Sequence, residues 1–205
     1  MIKKLNIPNK LTIVRICLVP VFVVLMAFID ATSYMKYIAL GVYIVASLTD
    51  YIDGYLARKY KIVTTFGKLM DPLADKILVS AGFIMLTGIG TIPAWITVIV
   101  VGRDFLLNTI RMFGTQGGET ISAGVYGKIK TAFQMIGVCL AIVDTNSIFA
   151  FVNMGKSVGL VQTMGVVPML INVAMSVSIT IAVIFTIWSC IDYIIKYRKY
   201  IDIEK

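Results

Sequence analysis

Four of the eleven acidic residues fall within 26 positions: Asp50 and Asp53, then Asp71 and Asp75. On a helix, positions 50, 53, 54 and 57 share one face, at i, i+3, i+4 and i+7. That face reads Asp, Asp, Gly, Ala. Positions 67, 71 and 75 repeat at i, i+4 and i+8, aligning a Gly with two Asp. The stretch between, Lys59 to Phe66, is short enough to make the two helices antiparallel neighbours, so the four carboxylates converge. At spacings of a few Å they cannot all stay ionised unaided, because each charge raises its neighbours' pKa, and protons or metal ions must be present. An all-oxygen set with no His and no Cys favours a hard divalent ion, Mg²⁺ or Mn²⁺, over Zn²⁺. Two such ions about 3.5 to 4 Å apart would clamp both oxygens of a phosphoryl displacement. Gly54 and Ala57 let a bulky ligand approach the backbone, and Arg58 can hold a phosphate through charge-assisted hydrogen bonds. Taken singly these residues have plainer uses. Asp71-Pro72 suits a helix N-cap followed by Pro, Arg58 and Lys59 suit membrane anchors, and Gly54 with Ala57 suits a small-residue packing face. None of those uses requires four Asp on two facing stripes.

The elements that carry these residues are apolar. Of 205 residues, 59% are hydrophobic and 15% charged, where a soluble domain carries about 25% charge. The absence of His excludes His general bases, His metal ligands and Ser-His or Cys-His nucleophile pairs. Cys17, Cys139 and Cys190 lie far apart in apolar runs and read as small core hydrophobes. Six hydrophobic stretches, about 11 to 29, 34 to 57, 72 to 88, 92 to 112, 128 to 151 and 166 to 195, predict an all-α polytopic membrane protein with six transmembrane helices. A short interfacial segment over residues 1 to 10 feeds the first, and one membrane domain, 1–205, exhausts the length. Placed on alternate sides of six spans, the 19 Lys and Arg divide 17 to 2, which predicts a multi-pass cell-membrane protein with both termini and the acidic site in the cytoplasm. In that setting the net charge of +8 reports topology, and no nucleic-acid partner is expected. The long connection, 144 to 165, carries no evident chemistry.

The pattern Asp50-x2-Asp53-Gly54-x2-Ala57-Arg58-x8-Gly67-x3-Asp71-x3-Asp75 resembles the full signature of the CDP-alcohol phosphatidyltransferase family, every position matched. The resemblance implies a six-helix membrane enzyme, commonly a homodimer, that transfers a phosphatidyl group from CDP-diacylglycerol to an alcohol and releases CMP. It also implies that Asp50, Asp53, Asp71 and Asp75 hold two divalent metal ions, with Asp75 the catalytic base. By the same likeness Gly54, Ala57, Arg58 and Thr64 belong to the CDP-diacylglycerol site. Pro8-Asn9-x2-Thr12-x2-Arg15 is similar to the family's N-terminal segment over the nucleotide, which adds Asn9 and Thr12. The plainer reading of that segment is a polar interfacial turn and a snorkelling Arg15.

The acceptor alcohol has to be read from other basic residues. Arg103, Arg111, Lys128 and Lys130 suit a pocket for a phosphorylated acceptor, and suit positive-inside anchors equally. Arg103-Asp104-Phe105, the later Arg111 and Gly127-Lys128-Ile129-Lys130-Thr131 are similar to the bacterial branch of the family whose acceptor is glycerol 3-phosphate. Where many relatives carry Glu, this chain has Asp104. Other acceptors, inositol phosphate, serine or phosphatidylglycerol, stay open at this point. So does a cation or proton transporter, although transporter carboxylates usually lie at the membrane midplane and within repeats.

Overall fold

Apolar residues recur every third or fourth position, and the computed structural model folds each such run as an α-helix. The structure describes residues 7–32, 34–60, 65–116, 125–144 and 166–196. Among the described residues the helices are α1 (Ile7–Ala27), α2 (Met35–Tyr60), α3 (Thr65–Gly88), α4 (Ala94–Gln116), α5 (Val125–Val143) and α6 (Val166–Lys196), and the all-α class is as expected. Two compact units share them: Met1–Ile89 with Val138–Thr145, and Gly90–Gly137 with Asn146–Lys205.

In the first unit α1 packs against both α2 and α3, which also meet each other. Each helix buries one stripe: Thr12, Arg15, Val19, Phe22 and Met26 on α1, Ala39, Tyr43 and Ala46 on α2, and Ala74, Leu78, Phe83 and Leu86 on α3. Full burial of each large apolar side chain contributes about 1.5 to 3 kcal/mol. Gly82 permits the close fit, because a Cβ there would lie 3.0 Å from Val138 Cγ1 and 3.3 Å from Tyr43 Cε2. Gly90, at φ 81°, takes the left-handed conformation that turns the chain after α3.

In the second unit α4 packs on α6. The buried stripe of α6 is Met175, Ile179, Ala182, Thr186, Ser189 and Tyr193, and that of α4 is Ile96, Val100, Asp104 and Leu107. On α5 the stripe opens with two polar residues, Lys130 and Gln134. A Cβ on Gly137 would sit 2.8 Å from Ile179 Cγ1, inside van der Waals contact with a stiff β-branched side chain. Gly137→Val should therefore cost about 1 to 3 kcal/mol of stability. Gly41→Ala, where a Cβ meets nothing within 4 Å, should leave the melting temperature level or higher. Melting both variants in detergent checks the pair, and equal behaviour would refute the close approach.

The expectation of six transmembrane spans fails. Among the described residues one helix, Val167–Ile195, is long and apolar enough to cross a membrane, with 29 residues and a mean hydropathy of 2.3. The other apolar runs, Leu11–Ala27, Met35–Thr49, Lys76–Gly88 and Ile129–Val143, are of 10 to 17 residues. At 1.5 Å per residue even the longest reaches only about 26 Å, against about 30 Å of hydrocarbon. The sequence reading extended these runs through charged helix ends, such as Asp50 to Ala57 on α2. The multi-pass cell-membrane topology fails with it, and so does the placement of termini and site in the cytoplasm: the 17-to-2 division of Lys and Arg has meaning only if six spans alternate the sides. The separate interfacial segment is also corrected in part, since Ile7 to Lys10 already form the first turn of α1. Residues 1–6 and 145–165 lie outside the described residues.

Candidate functional site

All four Asp positions are helical: Asp50 and Asp53 in α2, Asp71 and Asp75 in α3. Asp71 is not an N-cap, because α3 begins at Thr65 and Pro72 falls in its interior, where it can give no hydrogen bond to the preceding turn. The capping use of Asp71 is thereby removed. The side chains of all four Asp lie outside the described residues. Their backbone positions are nonetheless informative. Along α2, positions 50, 53, 54 and 57 continue the register of buried Ala39, Tyr43 and Ala46, whereas exposed Ile44, Leu48 and Ile52 occupy the opposite face. Along α3, positions 67, 71 and 75 continue the register of Ala74 and Leu78.

Two contacts fix the levels. The rings of Phe22 and Tyr43 lie 5.2 Å apart, and Gly82 lies against Tyr43. The short connections make successive helices antiparallel. Seven residues from these contacts, position 15 of α1, position 50 of α2 and position 75 of α3 come level to within about a turn. Ten residues along, position 12 stands level with 53 and with 72, next to 71. The two acidic pairs thus reach matching depths on the inward registers of packed helices.

Thr12 is fully buried on α1 at this level, and Arg15, read as snorkelling, is fully buried as well. Burial on the core-facing stripe is incompatible with a guanidinium reaching to a surface. Gly54, Ala57 and Arg58 are helical in α2 and Asn9 in the first turn of α1, with side chains outside the described residues, and Thr64 lies outside them altogether. Among the described residues no group of three or more Cys, Asp or Glu is gathered as a metal site.

The second unit holds a polar cluster. Lys130, 1% exposed, donates to Asp104 Oδ1, and Arg103 Nη1 donates to the same oxygen at 2.8 Å. Arg103 Nη2 donates to Ser189 Oγ at 2.6 Å, and Ser189 Oγ donates to the Thr186 carbonyl at 3.2 Å. Gly127, one turn before Lys130, lies beside the cluster, where a Cβ would be 4.0 Å from Arg103 Nη2, an ordinary contact distance. Two of the four basic residues singled out in the sequence, Arg103 and Lys130, are therefore brought together by one carboxylate. Arg111 and Lys128 have helical backbones and side chains outside the described residues. Sequence reasoning missed Gln134 and Ser189. The spacing 127, 130, 134, 137, 141 on α5 was the available signal for Gln134, because it sets an amide on the same stripe as Lys130. Cys17 is exposed, not a core residue, while Cys139 and Cys190 are half-buried, and all three are free thiols.

The family model for CDP-alcohol phosphatidyltransferase matches residues 5–188. A CDP-diacylglycerol--glycerol-3-phosphate 3-phosphatidyltransferase of Bacillus subtilis (strain 168) is 41% identical over 143 residues, covering 65% of this chain and 74% of the relative. A protein of the same name from Haemophilus influenzae is 32% identical over 198 residues, covering 93% of this chain and 92% of its own. One from Rickettsia felis is 35% identical over 140 residues, covering 68% and 76%. With the family pattern spanning nearly the whole length and the signature positions set on packed helices, this chain belongs to the CDP-alcohol phosphatidyltransferase family.

Proposed function

We propose that the protein transfers the phosphatidyl group of CDP-diacylglycerol to glycerol 3-phosphate, giving phosphatidylglycerophosphate and CMP. One observation carries the reading: positions 50 and 53 of α2 and 71 and 75 of α3 come level on inward registers, in a chain whose relatives bear the name of that reaction.

Asp50, Asp53, Asp71 and Asp75 would hold two divalent ions, Mg²⁺ or Mn²⁺. The donor set fits, being carboxylate oxygen on packed helices in a chain without His. When bound, such ions offset the charge of a pyrophosphate and of the departing nucleotide phosphate. Arg58 pairs with a phosphate of CDP-diacylglycerol, Gly54 and Ala57 leave its path along α2 open, and Asn9, Thr12 and Thr64 contact the nucleotide. Arg103, Arg111, Lys128 and Lys130 supply positive charge for the acceptor's phosphate. Asp75 takes the proton from the 1-hydroxyl of glycerol 3-phosphate. The resulting oxygen forms a bond to the phosphorus bearing diacylglycerol, while the bond from that phosphorus to the bridging oxygen breaks and its electron pair leaves with CMP. The enzyme works as a homodimer among membrane lipids, which the family resemblance supports.

The test is CMP release from CDP-diacylglycerol by purified protein in detergent with Mg²⁺ or Mn²⁺ and a panel of alcohols. Release is expected with glycerol 3-phosphate. Release only with serine, inositol phosphate or phosphatidylglycerol would reassign the acceptor, and none with any alcohol would remove the enzymatic reading. Chelation by EDTA should abolish turnover and Mn²⁺ should restore it; full activity in EDTA would refute the two-ion assignment.

A further inference from the structure

Arg103 is held from two directions. Its Nη1 donates at 2.8 Å to Asp104 Oδ1, on the next residue of α4, and its Nη2 donates at 2.6 Å to Ser189 Oγ on α6, 86 positions away. The bond to Asp104 ties the guanidinium to its own helix and leaves it able to swing about that one anchor. The bond to Ser189 removes the swing, because a planar fork pinned at two of its three nitrogens has one orientation left. Ser189 is buried, and its hydroxyl donates to the Thr186 carbonyl at 3.2 Å, three positions back in the same helix. With that proton committed, the oxygen faces Arg103 only as an acceptor. It is also an uncharged acceptor, so it aims the guanidinium without cancelling its charge, as a carboxylate at position 189 would. Nε of Arg103 is buried and meets no acceptor among the described residues, so the pinned fork keeps a donor for an anionic oxygen. A hydroxyl serving α6 alone would need only the Thr186 carbonyl. The family pattern ends at residue 188 and does not reach Ser189.

Resting on the reading that Arg103 serves the acceptor's phosphate, we propose that Ser189 is a positioning residue for that phosphate, acting by fixing Arg103 before glycerol 3-phosphate arrives. Holding the side chain in advance lowers the ordering cost of binding. The phosphate is not the reacting group of the acceptor, so the contribution belongs to KM and not to kcat.

In the full-length protein in detergent, Ser189→Ala should raise the KM for glycerol 3-phosphate about three- to tenfold, the worth of one hydrogen bond, with kcat and the KM for CDP-diacylglycerol unmoved. Ser189→Thr, which keeps the hydroxyl, should hold the parent's KM. Arg103→Gln should raise the same KM, and in that background Ser189→Ala should add nothing, since it acts through a guanidinium no longer there. A hydroxyl that only stabilises α6 would, on removal, lower the melting temperature and leave the KM where it was, and that result overturns the proposal. Equal rises in KM in the two backgrounds would overturn it as well, by showing that Ser189 works without Arg103. So would a Ser189→Thr variant that melts like the parent yet has the KM of Ser189→Ala. Failure of the underlying reading looks different: the parent releases no CMP with glycerol 3-phosphate, or Arg103→Gln leaves that KM unmoved.

Discussion

Asp75→Asn should lower kcat by at least about a thousandfold while the protein keeps its helical content and melting behaviour. The substitution preserves shape and removes two things: the proposed proton acceptor, worth about 10² to 10⁴ in rate for a general base, and one anionic ligand of the proposed ion pair. Asp75 lies one residue from fully buried Ala74 and one turn before Leu78, on an α3 that is continuous on both sides, so the neutral amide should be accommodated. Single-turnover CMP release with circular dichroism as the folding control makes the measurement. Wild-type turnover in the variant would reject the base assignment, and a collapsed spectrum would show that the residue holds the fold.

The second large effect is expected at Asp104. Its carboxylate is 5% exposed and joins Lys130, whose side chain is 1% exposed, and Arg103. Removing it takes away a counter-charge that a buried ammonium contacts, and breaking a buried pair from one side costs about 3 to 5 kcal/mol. Asp104→Leu should therefore unfold at much milder conditions and lose acceptor-dependent turnover. Lys130→Met in the same background should recover most of the stability and none of the turnover, because an apolar pair of similar volume replaces the ion pair whereas the proposed charge partner of the acceptor stays lost. Unfolding of the two single variants and the double variant in detergent closes the cycle. Additive losses would mean that the two residues do not depend on each other.

How much of this was legible varies by residue. The six helices and the inward registers were readable because 39, 43, 46, 50 and 53 keep helical spacing whether the residue is Ala, Tyr or Asp. Helix ends were less so. Asp71-Pro72 carries the local signature of a helix start, yet α3 begins at Thr65, so packing overrode the local signal at an interior proline. The spans were overcounted because hydropathy was read across helix ends that carry charge, and those ends carry the proposed site residues. The burial of Arg15 and Lys130 was not legible for a different reason: long basic side chains are ordinarily exposed. The Asp104 that holds Lys130 lies 26 positions away, a pairing that no local window contains. The Asp ensemble was legible as a pattern of chemistry, since four acids on two stripes serve no ordinary structural end.

Ser189 gives α6 a second role. The helix that is long enough to cross a bilayer is also the one whose hydroxyl holds Arg103. Its 29-residue apolar run would extend about 43 Å against a hydrocarbon layer of about 30 Å, so in a bilayer the excess has to be taken up by tilt or by reaching into the headgroups. Ser189 stands near the C-terminal end of that run, with exposed Trp188 beside it as an amphipathic ring suited to the headgroup boundary. With α6 set in a bilayer, the thickness of that bilayer would bear mechanically on the Ser189–Arg103 hydrogen bond. Host lipids of different acyl length should tune how the guanidinium is held, without any change in the amino-acid sequence.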